Sequence, residues 1–185
     1  MIATKLTPSQ VNLEVTGITI LSVDEAKRIP ISIRKSAHRY DWQQTSQWWL
    51  RTPGLTRKAA YVFPDGKINT DGAYVDCGIS QSIGVKPVLT VANLTELKLG
   101  RGSKVNLAGL TWTVINEQML LCDHIVGTLN FRDYGSCNDR YYEIESRNTI
   151  PVEELNDFEH SDIKKYLDRW ASENGIQFET AETAA

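Results

Sequence analysis

Trp48-Trp49-Leu50-Arg51-Thr52-Pro53-Gly54 is the stretch of this chain that says most about its fold. Two adjacent tryptophans carry a large apolar area, and each indole N–H needs a hydrogen-bond partner when it is buried. Pro53 and Gly54 favour a fixed turn at the end of the strand. The stretch therefore predicts a rigid aromatic corner in a β-rich domain. Consecutive strand residues face opposite sides, so one tryptophan is expected in the core and the other under the loop of residues 31–47 or against a ligand. Core packing is the favoured role for the pair. Arg51 is expected to hold an ion pair or a backbone carbonyl under the turn.

Strands are predicted on the C-terminal side of this corner. Tyr61-Val62-Phe63 and Lys67-Ile68-Asn69 flank Pro64-Asp65-Gly66, and Asp-Gly pairs favour tight hairpin turns. Asp71-Gly72 predicts a second turn. The chain is thus expected to form a meander of short antiparallel strands here.

Two further segments predict strands. Residues 84–91 predict one strand, and Pro87 favours an edge or a strand end because proline donates no backbone hydrogen bond. Residues 110–126 predict a hairpin with a polar turn at Asn116-Glu117-Gln118. Trp112 lies on the first strand of this hairpin and is expected in the core.

Two short helices are predicted, one near each end of the chain. Ser22 and Glu25 form a capping-box pair, and Pro30 ends the helix that they start. Ser161 is a suitable N-cap for the second helix, which Asn174-Gly175 ends. The apolar face of the second helix comprises Ile163, Tyr166, Leu167 and Trp170.

The composition describes an ordinary globular protein. The chain has 185 residues, 41% of them hydrophobic and 23% charged, with a net charge of -3 and both signs interspersed. A nucleic-acid partner is not expected, because nucleic-acid sites need concentrated positive charge. No apolar run approaches the roughly 18 to 20 residues that span a bilayer, so a membrane partner is not expected either.

The first eight residues lack the apolar core of a secretion signal. We therefore expect a protein that is cytoplasmic when made and that leaves the cell only inside an assembly such as a virion. Residues 179–185 have little to bury and are expected to fray as a tail.

Three segments together resemble a known family. WWLRTPG (48–54), AAYVFPDGKINTDGAYV (59–75) and GVKPVL (84–89) are similar to a bacterial and phage domain family of unknown function, whose members carry WWLRSPG and GVRPAL. That family resembles the C-type-lectin-like fold of the formylglycine-generating enzyme. The resemblance implies a single α+β domain over residues 1–178, mostly antiparallel strands with two short helices. The residues expected to carry its structural motifs, with the two later tryptophans, are Trp48, Trp49, Arg51, Pro53, Gly54, Gly84, Pro87, Trp112 and Trp170.

The order of the segments differs from that of the family. A hairpin like residues 109–126 and a helix like residues 160–170 usually precede the WWLR segment, whereas here they follow it. One explanation is a circular permutation in which residues 93–104 join a WWLR/GVKP half (1–92) to a hairpin and helix half (105–178). The others are the back half of one module followed by the front half of the next, or halves that complement each other between subunits.

The known chemistry of the fold does not carry over to these residues. The calcium-ligand motifs of lectins with this fold are absent, and no cysteine pair matches the reactive pair of the formylglycine-generating enzyme. Cys77, Cys122 and Cys137 are expected to be free thiols, and the three histidines lie far apart. We therefore expect no metal, no cofactor and no catalysis.

Recognition is expected in two polar, aromatic segments. Residues 31–47 are predicted to form a loop over the core, and residues 131–147 are predicted to form a long surface excursion. Aromatic residues beside arginines are typical of binding hot spots. The candidate binding residues are Arg39, Tyr40 and Trp42 in the first segment, and Tyr134, Tyr141 and Tyr142 in the second.

These expectations favour a non-catalytic binding or assembly module of phage or bacterial origin. Its partner would be a protein or glycan surface, a second copy of the chain, or a larger assembly. The alternative is a structural component of a virion, such as a capsid decoration or a fibre- or tail-associated protein. An enzyme of the formylglycine-generating type ranks third.

Overall fold

A five-stranded antiparallel sheet organises the first of two units into which the chain divides. This unit comprises Met1–Thr19, Lys86–His124 and Leu167–Ala185, and the second comprises Ile20–Val85 and Ile125–Tyr166. The structure is a computed structural model that describes residues 12–35, 37–38, 46–75, 83–132 and 155–178. It is an α+β protein of mostly antiparallel strands with a few short helices.

The sheet of the first unit joins strands from distant parts of the chain. With strands numbered along the chain, its strands are β1 (Val15–Thr19), β7 (Val88–Val91), β8 (Lys104–Leu107), β9 (Leu110–Asn116) and β10 (Met119–Cys122). Their order in the sheet is β1-β7-β10-β9-β8. β7 pairs with β10, so this sheet contains strands from before and after residues 93–104.

The predicted hairpin of residues 110–126 is present in its first part. β9 and β10 pair across the turn, where the Asn116 side chain accepts the Gln118 amide at 2.8 Å. The second strand is shorter than predicted. It ends at Cys122, and the amide of Asp123 makes a last bond to the Thr111 carbonyl.

The prediction of one continuous strand over residues 84–91 is wrong, whereas Pro87 lies at a strand end, one of the two positions predicted for it. The chain divides at Lys86-Pro87 into β6 (Gly84–Val85) and β7, which belong to different sheets. β7 is an inner strand between β1 and β10. Pro87 is tolerated because it precedes β7, and its carbonyl accepts a bond from the Cys122 amide at 2.9 Å.

The second unit contains another five-stranded sheet, in the order β12-β6-β3-β4-β5. Its strands are β3 (Trp48–Pro53), β4 (Lys58–Val62), β5 (Ile68–Tyr74), β6 and β12 (Gly127–Thr128). β3 and β6 run parallel, and the other neighbours are antiparallel. A separate two-stranded sheet pairs β2 (Ala37–His38) with β11 (His124–Ile125).

The β4–β5 hairpin has the predicted turn at Pro64-Asp65-Gly66, where Gly66 has φ 88°. The second predicted turn, at Asp71-Gly72, is wrong, because both residues lie inside β5. The pairing with β4 is irregular at this point, and Gly72 has φ 93°. A Cβ atom there would lie 2.5 Å from the Ala59 carbonyl oxygen. The glycine therefore marks a bulge, which sequence alone does not distinguish from a turn.

The described residues contain three α-helices, whereas the sequence predicts two. α1 (Val23–Lys27) has the predicted capping box between Ser22 and Glu25. α2 (Ile31–Arg34) and β2 lie where a continuous loop over residues 31–47 was predicted, so that prediction is wrong for these residues. α2 starts directly after Pro30, whose fixed φ suits the start of a helix.

α3 (Asp162–Glu173) begins and ends as the sequence predicts. The Ser161 hydroxyl accepts the Lys164 amide at 3.1 Å, which is the bond of an N-cap. Gly175 follows the helix with φ 70°. Before α3, Phe158–His160 form a short 3-10 helix.

Candidate functional site

The aromatic corner of the second unit is entirely part of the core. Trp48 and Trp49 both have 0% exposed surface. The indole N–H of Trp48 donates to the Arg34 carbonyl at 2.9 Å, and that of Trp49 donates to the Leu129 carbonyl at 3.0 Å. Neither ring is available to a ligand in this arrangement.

Other aromatic rings extend this core. Phe131 lies 5.4 Å from Trp49 between ring centroids, and Tyr61 lies 6.4 Å from it, both edge-on. Phe63 is 5.0 Å from Tyr61. Edge-to-face packing of this kind stabilises a core beyond the area that it buries.

Arg51 binds the start of α1. Its guanidinium makes two hydrogen bonds of 2.6 Å to the Glu25 carboxylate and a third of 2.6 Å to the Ile20 carbonyl. Burial alone would raise the pKa of Glu25, but hydrogen bonds from Arg51 and Ser22 and the positive charge of Arg51 lower it below its ordinary value. Arg51 thus clamps the capping box to β3 and is occupied by that role.

The turn after β3 requires its glycine. The Gly54 amide donates to the Lys58 carbonyl at 2.8 Å, and Pro53 is the last residue of β3. A Cβ atom on Gly54 would overlap the carbonyl of Asp71. Pro53 and Gly54 therefore serve the fold of the second unit.

Trp112 and Trp170 pack together in the first unit, with ring centroids 6.2 Å apart. Trp112 is fully buried, and its indole N–H donates to the Leu107 carbonyl at 3.0 Å. Trp170 is 5% exposed. These two tryptophans are core residues, like Trp48 and Trp49.

The six candidate binding residues lie outside the residues that the structure describes. Their flanking residues are described, however, and they fix where each segment leaves the scaffold of the second unit. Residues 39–45 follow β2 and precede Gln47, whose carbonyl accepts the Gly84 amide at 2.8 Å. That bond lies beside Trp48, at the first residue of β3.

Residues 133–154 are attached at the other end of the same sheet. The Arg132 amide donates to the Val75 carbonyl at 3.0 Å, directly after the end of β5. On the return, the Asn156 side chain donates to the Lys58 carbonyl at 2.9 Å, at the first residue of β4. We call the places where residues 39–45 and 133–154 join the described residues the two attachment sites. Trp48 is opposite Val62 and Pro53 is opposite Ala59, so the two attachment sites lie at opposite ends of β3 and β4.

A polar cluster that sequence reasoning missed lies in the first unit. The Lys104 ammonium is 2.8 Å from the Asp123 carboxylate and 2.6 Å from the Thr113 hydroxyl, which itself donates to Asp123 at 2.5 Å. Lys86 interacts electrostatically with both charged residues. We call Lys86, Lys104, Thr113 and Asp123 the lysine-aspartate cluster.

Lys86 is the buried member of this cluster, with 1% exposed surface. Burial lowers its pKa to about 8, and the negative charge of Asp123 opposes that effect. A lysine with a lowered pKa is a common feature of catalytic sites, but a nucleophile must also be reached by its substrate. At 1% exposure the Lys86 amine is inaccessible, so this geometry favours a structural role.

One sequence feature does point to Lys86. It is the only charged residue in Gly84-Val85-Lys86-Pro87-Val88-Leu89, a position where a solvated lysine is not expected. Its neighbours Lys104 and Asp123 are not predictable in this way, because only the register of β8, β9 and β10 brings them together.

The described cysteine and histidines form no metal site. Cys122 is buried and forms no disulfide, whereas Cys77 and Cys137 lie outside the described residues. His160 contacts Asp157 at 2.6 Å on the surface. Over the described ranges, no three His, Cys, Asp or Glu side chains are grouped to hold a metal ion.

No family model, curated protein or solved structure matches this chain. Among the helices of the described residues, none has the length and apolar composition needed to cross a membrane.

Proposed function

We propose that this protein is a non-catalytic binding or assembly module of phage or bacterial origin with a C-type-lectin-like fold in permuted order. The observation that carries the proposal is the pair of attachment sites on the second unit's sheet. The segment with Arg39, Tyr40 and Trp42 lies between β2 and the Trp48 end of β3. The segment with Tyr134, Tyr141 and Tyr142 is flanked by residues that are bonded to Val75 and Lys58, at the opposite end of the strands. Binding residues are typically displayed in this way by rigid sheets.

The roles of the scaffold residues support the same proposal. Trp48, Trp49, Trp112 and Trp170 are used in the cores, and Arg51 is used in a clamp. These four tryptophans and Arg51 are therefore not the recognition residues, which leaves the aromatic residues of the two segments as the candidates; Tyr74 is an exposed aromatic residue outside both. The shared sheet of β7 and β10 is also what a permuted order requires, since it joins the two predicted halves.

The partner is a protein or glycan surface, and a glycan array with and without chelator tests the glycan form. The variants are Trp42→Ala and Tyr141→Ala, one for each attachment site. Tyr74→Ala is the matched control, because Tyr74 is a 44% exposed aromatic residue outside both segments. We expect binding that is independent of chelator, lost in at least one of the two variants and retained in the control. If the protein binds no glycan on the array, the proposal that its partner is a glycan is wrong.

The alternative is a virion structural component that contacts copies of itself or of a capsid or tail protein. Light scattering of the purified chain distinguishes the two forms. A stable oligomer that dissociates in Trp42→Ala or Tyr141→Ala favours assembly, and a monomer at all concentrations contradicts self-assembly.

A further inference from the structure

Asn174-Gly175, directly after α3, is the only Asn-Gly pair in the sequence. This dipeptide is the most prone to deamidation, because glycine has no side chain to hinder the attack of its own amide nitrogen on the asparagine side chain. Gly175 is exposed, and a Cβ atom placed on it would meet no atom within 4 Å. The pair is therefore open to the water and base that the reaction needs.

Two hydrogen bonds keep the reacting groups apart. The Asn174 side-chain amide donates to the Trp170 carbonyl at 2.8 Å, which directs the side chain back along α3. The Gly175 amide donates to the Ser172 carbonyl at 3.2 Å, at the long end of the range for such bonds. Both bonds must break before attack, because the Asn174 side chain must turn toward Gly175 and the Gly175 amide must lose its proton.

Buried residues on either side hold this turn closed. The Ile176 amide donates to the Ala171 carbonyl at 2.9 Å and, with the Gly175 bond, completes a Schellman motif in which Gly175 has φ 70°. Ile176 is 7% exposed and Trp170 is 5% exposed, and Ala171 is fully buried. Helix ends open more readily than helix interiors. Opening of this last turn is thus the event that would free the two reacting groups.

We propose that Asn174 deamidates in the folded protein, at a rate set by the opening of the last turn of α3. In the first step a base in solution takes the Gly175 amide proton, the Gly175 nitrogen bonds to Asn174 Cγ, and the side-chain nitrogen takes a proton from water and leaves as ammonia. In the second step water adds to one of the two carbonyl carbons of the resulting succinimide, and the bond from that carbon to the Gly175 nitrogen breaks. Residue 174 becomes aspartate or isoaspartate. The reaction consumes water, releases ammonia and needs no oxidant or reductant.

The products weaken the helix end that slows their formation. An aspartate at residue 174 has a carboxylate in place of the donor, so it faces the Trp170 carbonyl as a second acceptor. Its charge also lies at the C-terminal end of α3, where the helix dipole disfavours an anion. Isoaspartate in addition lengthens the backbone before Gly175. Modified chains should therefore open this turn more readily, beside the packing of Trp170 on Trp112.

The test follows deamidation of the full chain at pH 8, folded in buffer and unfolded in guanidinium chloride. Samples are digested, and mass spectrometry measures the peptides with aspartate or isoaspartate at residue 174. We expect both products from the folded chain, formed roughly tenfold or more slowly than from the unfolded chain. Hydrogen exchange of the Gly175 amide, followed by NMR, measures how often the turn opens. The slowing of deamidation should be at least as large as the protection of this amide.

Ile176→Ala and Leu99→Ala distinguish opening of this turn from a general loss of stability. Both side chains are 7% exposed, and the Leu99 amide bonds to the Leu94 carbonyl at 3.0 Å in another Schellman turn of the first unit. Ile176→Ala should raise the rate of the folded chain roughly fivefold or more and leave the rate in guanidinium unchanged. Leu99→Ala is the matched control and should deamidate like the wild type.

Two changes at residue 174 complete the test. Asn174→Gln should show no comparable modification there, because its longer side chain would have to close a six-membered ring. Asn174→Asp carries one product of the reaction and should melt roughly 2 to 4 °C below the wild type. An equal melting temperature would contradict the weakening of the helix end.

Four outcomes would overturn the proposal itself. Two are a slowing smaller than the protection of the Gly175 amide and a wild-type rate in Ile176→Ala. The third is an equal rise in Leu99→Ala, which would place the control in the stability of the whole unit. The fourth is no product from the folded chain over about a hundred half-lives of the unfolded reaction. The reaction involves neither residues 39–45 nor residues 133–154, so the inference stands independently of the proposed function.

Discussion

The two units bury their charged side chains in opposite ways. In the second unit, Arg51 matches both oxygens of Glu25 at 2.6 Å, and the pKa of Glu25 is lowered. In the first unit, Lys86 is almost fully buried, and Asp123, which also binds Lys104 and Thr113, offsets only part of the burial. The difference teaches that the degree of burial decides the sign: two direct hydrogen bonds compensate charges that stay 20% and 30% exposed, whereas a nearby carboxylate offsets only part of the burial of a lysine that is 1% exposed.

Removing one buried tryptophan from the apolar core of either unit should change the free energy of unfolding more than any change to the charged side chains. Trp49→Ala in the second unit and Trp112→Ala in the first unit should each lower the free energy of unfolding by about 3 to 5 kcal/mol. Both rings are fully buried, and each loses a hydrogen bond as well. Urea denaturation measures the change. A loss below about 1 kcal/mol for either variant would mean that its site collapses around the cavity.

Lys86→Met tests whether the buried charge of Lys86 destabilises the first unit. Burial lowers the pKa of Lys86 from 10.5 to about 8, and each pKa unit corresponds to about 1.4 kcal/mol. Methionine fills a similar volume without a charge, so the variant should be more stable at pH 7 by about 2 to 3 kcal/mol. Lys104→Met is the control, because the Lys104 side chain is 41% exposed and should give a smaller gain or a loss.

The pH dependence of Lys86 has a definite sign. The folded state releases the Lys86 proton near pH 8, whereas the unfolded state keeps it until about pH 10.5. Between these values the unfolded state binds more protons, so wild-type stability should rise with pH relative to Lys86→Met. Denaturation from pH 7 to 10 measures the difference between the two proteins. A difference that stays constant over this range would show that Lys86 is not the titrating group.

Glu25→Gln tests whether the ion pair between Arg51 and Glu25 stabilises the second unit, and it should have a smaller effect. It removes the charge of a clamp whose side chains are 20% and 30% exposed, so we expect a loss of about 1 to 2 kcal/mol at pH 7. Because the pKa of Glu25 is lowered on folding, this contribution is present above its ordinary pKa and is lost as pH falls through the folded value. The control is Glu173→Gln, in a 4.0 Å surface pair with side chains 71% and 68% exposed, which should change little.

The clamp of Arg51 on the capping box and the lysine-aspartate cluster also differ in how much of each the sequence could predict. Ser22 and Glu25 are three residues apart, so a local rule gives the capping box. The same holds for Ser161 and Gly175 at the ends of α3. The lysine-aspartate cluster needs the pairing of three strands, and no local rule contains that information.

Local patterns also failed where tertiary structure decided between two outcomes. Asp71-Gly72 has the composition of a turn, but its glycine allows a close approach to Ala59 within a strand. Residues 84–91 have the composition of one strand, but the chain divides at Lys86-Pro87 into strands of two different sheets. The left-handed conformation of Lys98 escaped notice because the sequence rule for such a turn looks for glycine, and Lys98, with φ 56°, departs from that rule.

The smallest expected effect concerns the backbone and compares two Schellman turns of the first unit. Their left-handed residues are Lys98, with φ 56°, and Gly175, with φ 70°. Lys98→Gly should raise the free energy of unfolding by about 1 kcal/mol, and Gly175→Ala should lower it by about the same amount. A Cβ atom on Gly175 would meet no atom within 4 Å, so the loss there is conformational and not steric. Thermal denaturation of both variants measures the two changes in stability. If Lys98→Gly were less stable than the wild type, contacts of the Lys98 side chain would outweigh its backbone strain, and the lysine would be explained by folding alone.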